Sequence, residues 1–159
     1  MMEFPRAYTL LKLFSLSCLL GTFGIIGYAN VGFLHSQSDS MAPYHTFLHL
    51  KLKEPQKGDY TVVPGKIYGM PLIKKITGTA GDEILYKDGA NLFVGGQLIA
   101  QNVKAKQIEH IKLTPIQAQT ISKDKVFVSS SNKLSFDSRY QELGLIEVKE
   151  LKGQVIPLW

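Results

Sequence analysis

Polarity changes character once along this chain. From Leu13 to Ala29 there is no charged residue, and the sequence stays largely apolar to Leu34. Beyond that point apolar residues come in short β-prone runs separated by turn residues. The first pattern predicts a membrane-spanning helix. Ala7 to Ala29 is long enough to cross a hydrocarbon core of about 30 Å, which takes roughly 20 helical residues. The second pattern predicts strands at Tyr60 to Val63, Leu72 to Thr77, Glu83 to Tyr86, Asn91 to Val94, Val126 to Ser129, Leu145 to Val148 and Gln154 to Leu158. Lys87-Asp88-Gly89 and Val94-Gly95-Gly96-Gln97 predict tight hairpin connections, because glycine takes positive φ at little steric cost. Gln107 to Leu113 predicts one short helix. The expected architecture is mainly β, an antiparallel sandwich or partly open barrel over 35–159, preceded by an amino-terminal anchor over 1–34.

Charge orients the anchor. Arg6 and Lys12 stand before the apolar run against one acid, Glu3, and no Lys or Arg follows until Lys51. The positive flank predicts a cytoplasmic amino terminus and a domain on the far side of the membrane. A cleaved signal peptide fits less well, since its apolar run is about 7 to 15 residues and Ile26 to Asn30 is a poor cleavage site. A buried core helix lacks a later helical partner of comparable length.

Composition adds limits. With 45% apolar and 19% charged residues in 159, the chain is expected to fold instead of remaining disordered. The net charge of +5 favours acidic lipid headgroups or solubility, and the lysines are scattered, so no nucleic-acid partner is expected. Cys18 is the only cysteine and lies in the apolar run. It makes no intramolecular disulfide, and a thiol in lipid is neutral and unreactive.

Candidate chemistry begins at Ser36-Gln37-Ser38-Asp39-Ser40-Met41-Ala42-Pro43. In an extended backbone Ser36, Ser38 and Ser40 share one face, and Pro43 biases Ala42 away from helix. One hydroxyl there attacks while a neighbour two residues away steadies the developing charge. Further on, Lys74 and Lys75 sit inside an apolar run. A lysine among apolar neighbours loses hydration of its charged form, and its pKa falls. A base working near neutrality needs about 3 pKa units off the ordinary value, or roughly 4 kcal/mol. Leu72 and Ile76 share the strand face of Lys74, but the sequence does not decide which of the two lysines is buried. Phe33, Leu34, Met41, Tyr44, Phe47 and Leu48 surround the serines, as bilayer contacts, pocket walls or core. His45 and His49 have the spacing of a zinc pair on a helix, yet Thr46 stands where a metalloprotease carries glutamate and the region reads as extended. No metal or other cofactor is expected.

Taken together, Ser38-Asp39-Ser40-Met41-Ala42-Pro43, Gly58-Asp59, Ile73-Lys74-Lys75 with Gly78 and Gly81-Asp82, and Ser135-Phe136-Asp137-Ser138-Arg139-Tyr140 resemble the type I signal peptidases in content and order. The last run and the Ile156-Pro157-Leu158-Trp159 ending look most like the family's conjugative-transfer branch. The resemblance implies a serine endopeptidase in the bacterial inner membrane, with its catalytic domain in the periplasm. It implies Ser40 as nucleophile, Lys74 as general base, Ser38 as an oxyanion donor, Ser135 as the residue orienting the lysine, and Asp137 with Arg139 as a bracing ion pair. The implied partners are the bilayer, an exported precursor such as a pilin, and conjugation machinery; hydrolysis and cyclisation of the precursor both remain open. Ser129 to Leu134 departs from the family's Gly-Asp-Asn-Arg-type segment, Lys75 stands where arginine is more usual, and Ala80 where proline is. A general secretory peptidase, a self-cleaving repressor-type protease and a non-catalytic channel subunit are the alternatives.

Overall fold

The computed structural model describes residues 14–15, 17–18, 29–36, 38–65, 69–108 and 110–159. Its strands are, in order, β1 (Val31–His35), β2 (Thr46–Leu50), β3 (Tyr60–Val63), β4 (Leu72–Gly78), β5 (Glu83–Lys87), β6 (Asn91–Val94) and β7 (Gln97–Ala100). There follow β8 (Lys106–Ile108), β9 (Ile111–Leu113), β10 (Gln119–Thr120), β11 (Lys125–Ser129), β12 (Ile146–Glu147) and β13 (Gln154–Pro157). The larger sheet runs β1-β2-β13-β3-β4-β11-β12, the smaller β10-β5-β6-β7, and β8 pairs with β9. Every pairing is antiparallel.

Alternation along the strands divides the large sheet into two apolar faces. Val63, Ile76 and Val128 join Ile84, Leu92 and Val94 of the small sheet in the main core. Burying each such side chain contributes on the order of 1.5–3 kcal/mol, so this shared core is what holds the sheets together. The sheets approach closely at Gly78, where an added Cβ would meet Val94 Cγ1 at 2.5 Å and Ile121 Cδ1 at 2.8 Å. On the opposite face, Met41, Phe47, Val62 and Val155 form a second cluster, with Leu34, Tyr44, Tyr60 and Ile73 packed against it.

Lys87 to Gly89 and Gly95-Gly96 do turn β5 into β6 and β6 into β7, with Asp88, Gly89, Gly95 and Gly96 at positive φ. The expected helix over Gln107 to Leu113 is instead the β8–β9 hairpin. Gln107 and Lys112 pair across it and both face solvent, so polarity there repeats every second residue and gives no helical face. The strand expected over Leu145 to Val148 stops at Glu147, because Glu147 and Glu150 cap each other reciprocally and start a 3₁₀ turn, Val148–Glu150. Most of the expected anchor over 1–34 lies outside the described residues. Its last residues from Val31 belong to β1, paired with β2. Among the described residues no helix is long and apolar enough to cross a membrane.

Candidate active site

The serine-rich stretch is the loop joining β1 to β2. Ser36 N–H donates to the His45 carbonyl at 2.8 Å and closes the loop, while His45 and Thr46 N–H both donate to the Trp159 carbonyl. Within it the backbone is not extended: Asp39–Met41 forms one 3₁₀ turn. That turn, anchored by the buried Met41 side chain, brings Ser38 Oγ within 2.8 Å of Ser40 Oγ. Ser36 turns away; its hydroxyl donates to the Ser38 carbonyl at 3.0 Å. The structure thus pairs Ser38, and not Ser36, with Ser40.

Lys74 lies in the middle of β4, opposite Thr61 of β3. Two motifs hold that strand. The Gly58-Asp59 turn bonds it through Gly58 N–H to the Ile76 carbonyl and Ile76 N–H to the Asp59 carbonyl. At its end Asp82 accepts from Thr79 N–H at 2.8 Å and from Lys57 Nζ at 2.6 Å. On this strand Lys74 is 2% exposed and Lys75 is half-buried, which answers the choice the sequence left open. Lys74 Nζ donates to Ser135 Oγ at 2.7 Å. Burial lowers the amine's pKa from 10.5 to about 8, with Asp137 pulling it back up and Arg139 pushing it further down.

Ser135 is placed by the loop after β11. Asp137 and Arg139 form a fully buried bidentate pair, Nε to Oδ1 and Nη2 to Oδ2 both at 2.7 Å. Arg139 Nη2 also donates to the carbonyls of Asn132 and Ser135. Asp137 Oδ2 accepts from Ser130 N–H at 3.1 Å, and Ser138 Oγ accepts from Val128 N–H at 3.0 Å. The altered segment Ser129 to Leu134 is therefore tied down without the family's glycine and aspartate. Sequence reasoning gave Ser130, Asn132, Ser138 and Lys106 no part in this. Lys106 donates to the Leu134 carbonyl at 3.1 Å and lies over the Tyr140 ring.

Ser38–Ser40 and Lys74–Ser135 are two bonded pairs, with no hydrogen bond between them among the described residues. The segment from Ser129 to Ser135 reaches the lysine at one end and Met41, the residue after Ser40, at the other. Met41 shares a cavity of about 410 Å³ with Ser129, Ser130 and Ser131, while Ser135 holds the lysine. Of the residues surrounding the serines, Met41 and Phe47 are core and Phe33 is 71% exposed. The histidine pair has separate uses: His49 bonds the Lys152 carbonyl from β2, and His45 lies beside the His35 ring. Chemically, the arrangement offers a hydroxyl next to a second hydroxyl, and a desolvated amine able to be neutral near physiological pH.

The profile of the family described as signal peptidase, peptidase S26, matches residues 9–159. Among solved structures, a signal peptidase I from Enterococcus faecalis V583 is similar at 21% identity, over 64% of this chain and 97% of that one, with a TM-score of 0.42. No curated protein sequence matches the chain.

Proposed function

The chain belongs to the signal peptidase family, peptidase S26, a family of serine peptidases, and we propose that it cleaves exported precursors by acyl transfer through Ser40 and Lys74. The observation that carries this reading is the buried Lys74 amine, bonded to Ser135 and lowered to about 8. At pH 7 about a tenth of such amines are neutral, roughly 300-fold more than at the ordinary lysine value. Ser40 Oγ attacks the scissile carbonyl and its proton passes to Lys74 Nζ. This transfer requires the amine to reach Ser40 once substrate fills the site, as catalytic hydrogen bonds often tighten only in the complex. Ser38 Oγ–H and Ser40 N–H hold the oxyanion. The lysine then returns its proton to the leaving amine, and water releases the acyl group.

In this reading the residues before β1 anchor the chain in the bacterial inner membrane, amino terminus inside, and the residues from β1 onward work in the periplasm. Val31, Phe33 and Ile156, exposed along β1 and β13, support contact of the domain with the bilayer. The Ser-Phe-Asp-Ser-Arg-Tyr run and the carboxy-terminal Ile-Pro-Leu-Trp support a place in conjugative transfer, with a pilin precursor as substrate. If the precursor's own amino terminus replaces water, the product is cyclic, and the mass of the mature pilin distinguishes it from a linear one.

The test is precursor processing in membranes carrying the full chain. Ser40→Ala and Lys74→Ala, made separately, each stop processing; unchanged processing in either contradicts the proposal.

A further inference from the structure

Two departures from the family pattern meet in one place. Lys75, where arginine is more usual, and Ser129-Ser130-Ser131, where the pattern has Gly-Asp-Asn, line the same cavity of about 410 Å³. Thr77 of β4, Gln97, Leu98 and Ile99 of β7, Tyr60 and Met41 complete its walls. The register explains the meeting: Ser129 pairs with Lys75 between β11 and β4.

Among the described residues the cavity is lined by a cation and hydroxyls and by no carboxylate. Among the described residues Lys75 Nζ makes no ion pair or hydrogen bond, and its contact is the Tyr60 ring at 5.7 Å. Thr77 Oγ1 and Ser129 Oγ bond each other at 3.0 Å. One hydroxyl donates in that bond, so the other keeps its proton for a further acceptor. Ser131 is exposed at the rim. A half-buried ammonium in the same cavity as a hydroxyl with a proton to give is complementary to an anion, and a carboxylate gains charge-assisted hydrogen bonds there. Met41, which directly follows Ser40, forms one wall, so the cavity lies next to the serine turn.

We propose that this cavity binds an acidic side chain of the precursor, within a few residues of the scissile bond, with Lys75 as its counter-charge. The inference rests on the proposed peptidase function and names a substrate feature for it. The length of the lysine side chain and the 410 Å³ volume accommodate aspartate or glutamate, and the protein's net charge of +5 favours approach of acidic segments.

The test uses the full chain in detergent and peptides with a small-x-small cleavage motif, with aspartate or asparagine scanned through each nearby position. At one position aspartate is expected to raise kcat/KM about ten-fold over asparagine, as one charge-assisted contact of about 1.4 kcal/mol gives. In Lys75→Met that ratio falls to about one, and in Lys75→Arg it persists. Ser131→Asp, a rim substitution that leaves the sheet intact, places a carboxylate at the cavity and also lowers the ratio. Binding of the same peptides to Ser40→Ala, by fluorescence anisotropy, follows the same order and does not depend on cleavage. Cleavage with no position distinguishing aspartate from asparagine overturns the inference and leaves the peptidase reading standing. Absence of cleavage overturns the peptidase reading, and the binding series still decides this one. N-acetyl-aspartate amide binding as tightly as the peptides would identify a small-anion site and refute the precursor assignment.

Discussion

Lys74 Nζ lies 2.7 Å from Ser135 Oγ, a residue 61 positions later in the chain. β4 supplies the amine, and a loop locked by the Asp137–Arg139 pair supplies the hydroxyl. The bond fixes where the amine points while leaving it able to lose its proton. Removing the hydroxyl should therefore affect reaction more than binding. Ser135→Ala is expected to lower kcat about 10- to 100-fold with a smaller change in KM, matching the 1.5–3 kcal/mol of a hydrogen bond to an ionisable group. Ser135→Thr, which keeps the hydroxyl, should recover part of the loss; steady-state kinetics on a precursor peptide reads both.

The serine turn makes a prediction that separates neighbours. Ser38 Oγ is 2.8 Å from Ser40 Oγ, whereas Ser36 bonds only its own loop. Ser38→Ala should reduce kcat by about 100- to 1,000-fold, the usual loss for one oxyanion donor. Ser36→Ala should change kcat by less than about five-fold, since it removes only two exposed bonds to the Ser38 backbone. Equal losses in the two variants would show that the turn does not select between them.

The Asp137–Arg139 pair should act on folding. Removing one partner strands a buried charge, so Asp137→Ala or Arg139→Ala should destabilise by about 3–5 kcal/mol in urea unfolding. The double variant should lose less than the sum of the singles.

Stability should also depend on pH through Lys74. Its pKa is about 8 folded and 10.5 ordinarily, so between those values the unfolded chain holds the extra proton. Stability therefore rises with pH across that window, by about 3 kcal/mol in all. Below pH 8 the buried charge is a full cost. Lys74→Met should accordingly be more stable than the parent at pH 7, with the gap closing as pH rises towards 10.5. Denaturant melts of both proteins across this range measure it. By the same titration, kcat/KM should climb as pH rises through about 8.

What could be read from sequence follows from how local each signal is. β3 and β6 fell where apolar β-branched or aromatic runs meet turn residues, and the glycine turns after β5 and β6 announced their hairpins. The β8–β9 hairpin was misread because its strands are three residues long and the sequence between them has no glycine or proline. β1 was hidden because Val31 to Leu34 extend an apolar run, and only pairing with β2 makes them a strand. At the site, the residue types and order pointed to Ser38, Ser40, Lys74, Ser135, Asp137 and Arg139. The burial of Lys74 over Lys75 was not legible, because it depends on which face of β4 meets the second sheet. Nor was the bracing by Ser130, Asn132 and Ser138, which arises from a loop folding back on β11.

The central claim is that the Lys74 amine is desolvated enough to act as a base. Its most direct test is NMR titration of the full chain labelled with 13C at lysine Cε, with the Lys74 signal assigned through Lys74→Arg. The account predicts a midpoint near 8, well separated from the other lysines. A midpoint near the ordinary 10.5 would contradict it.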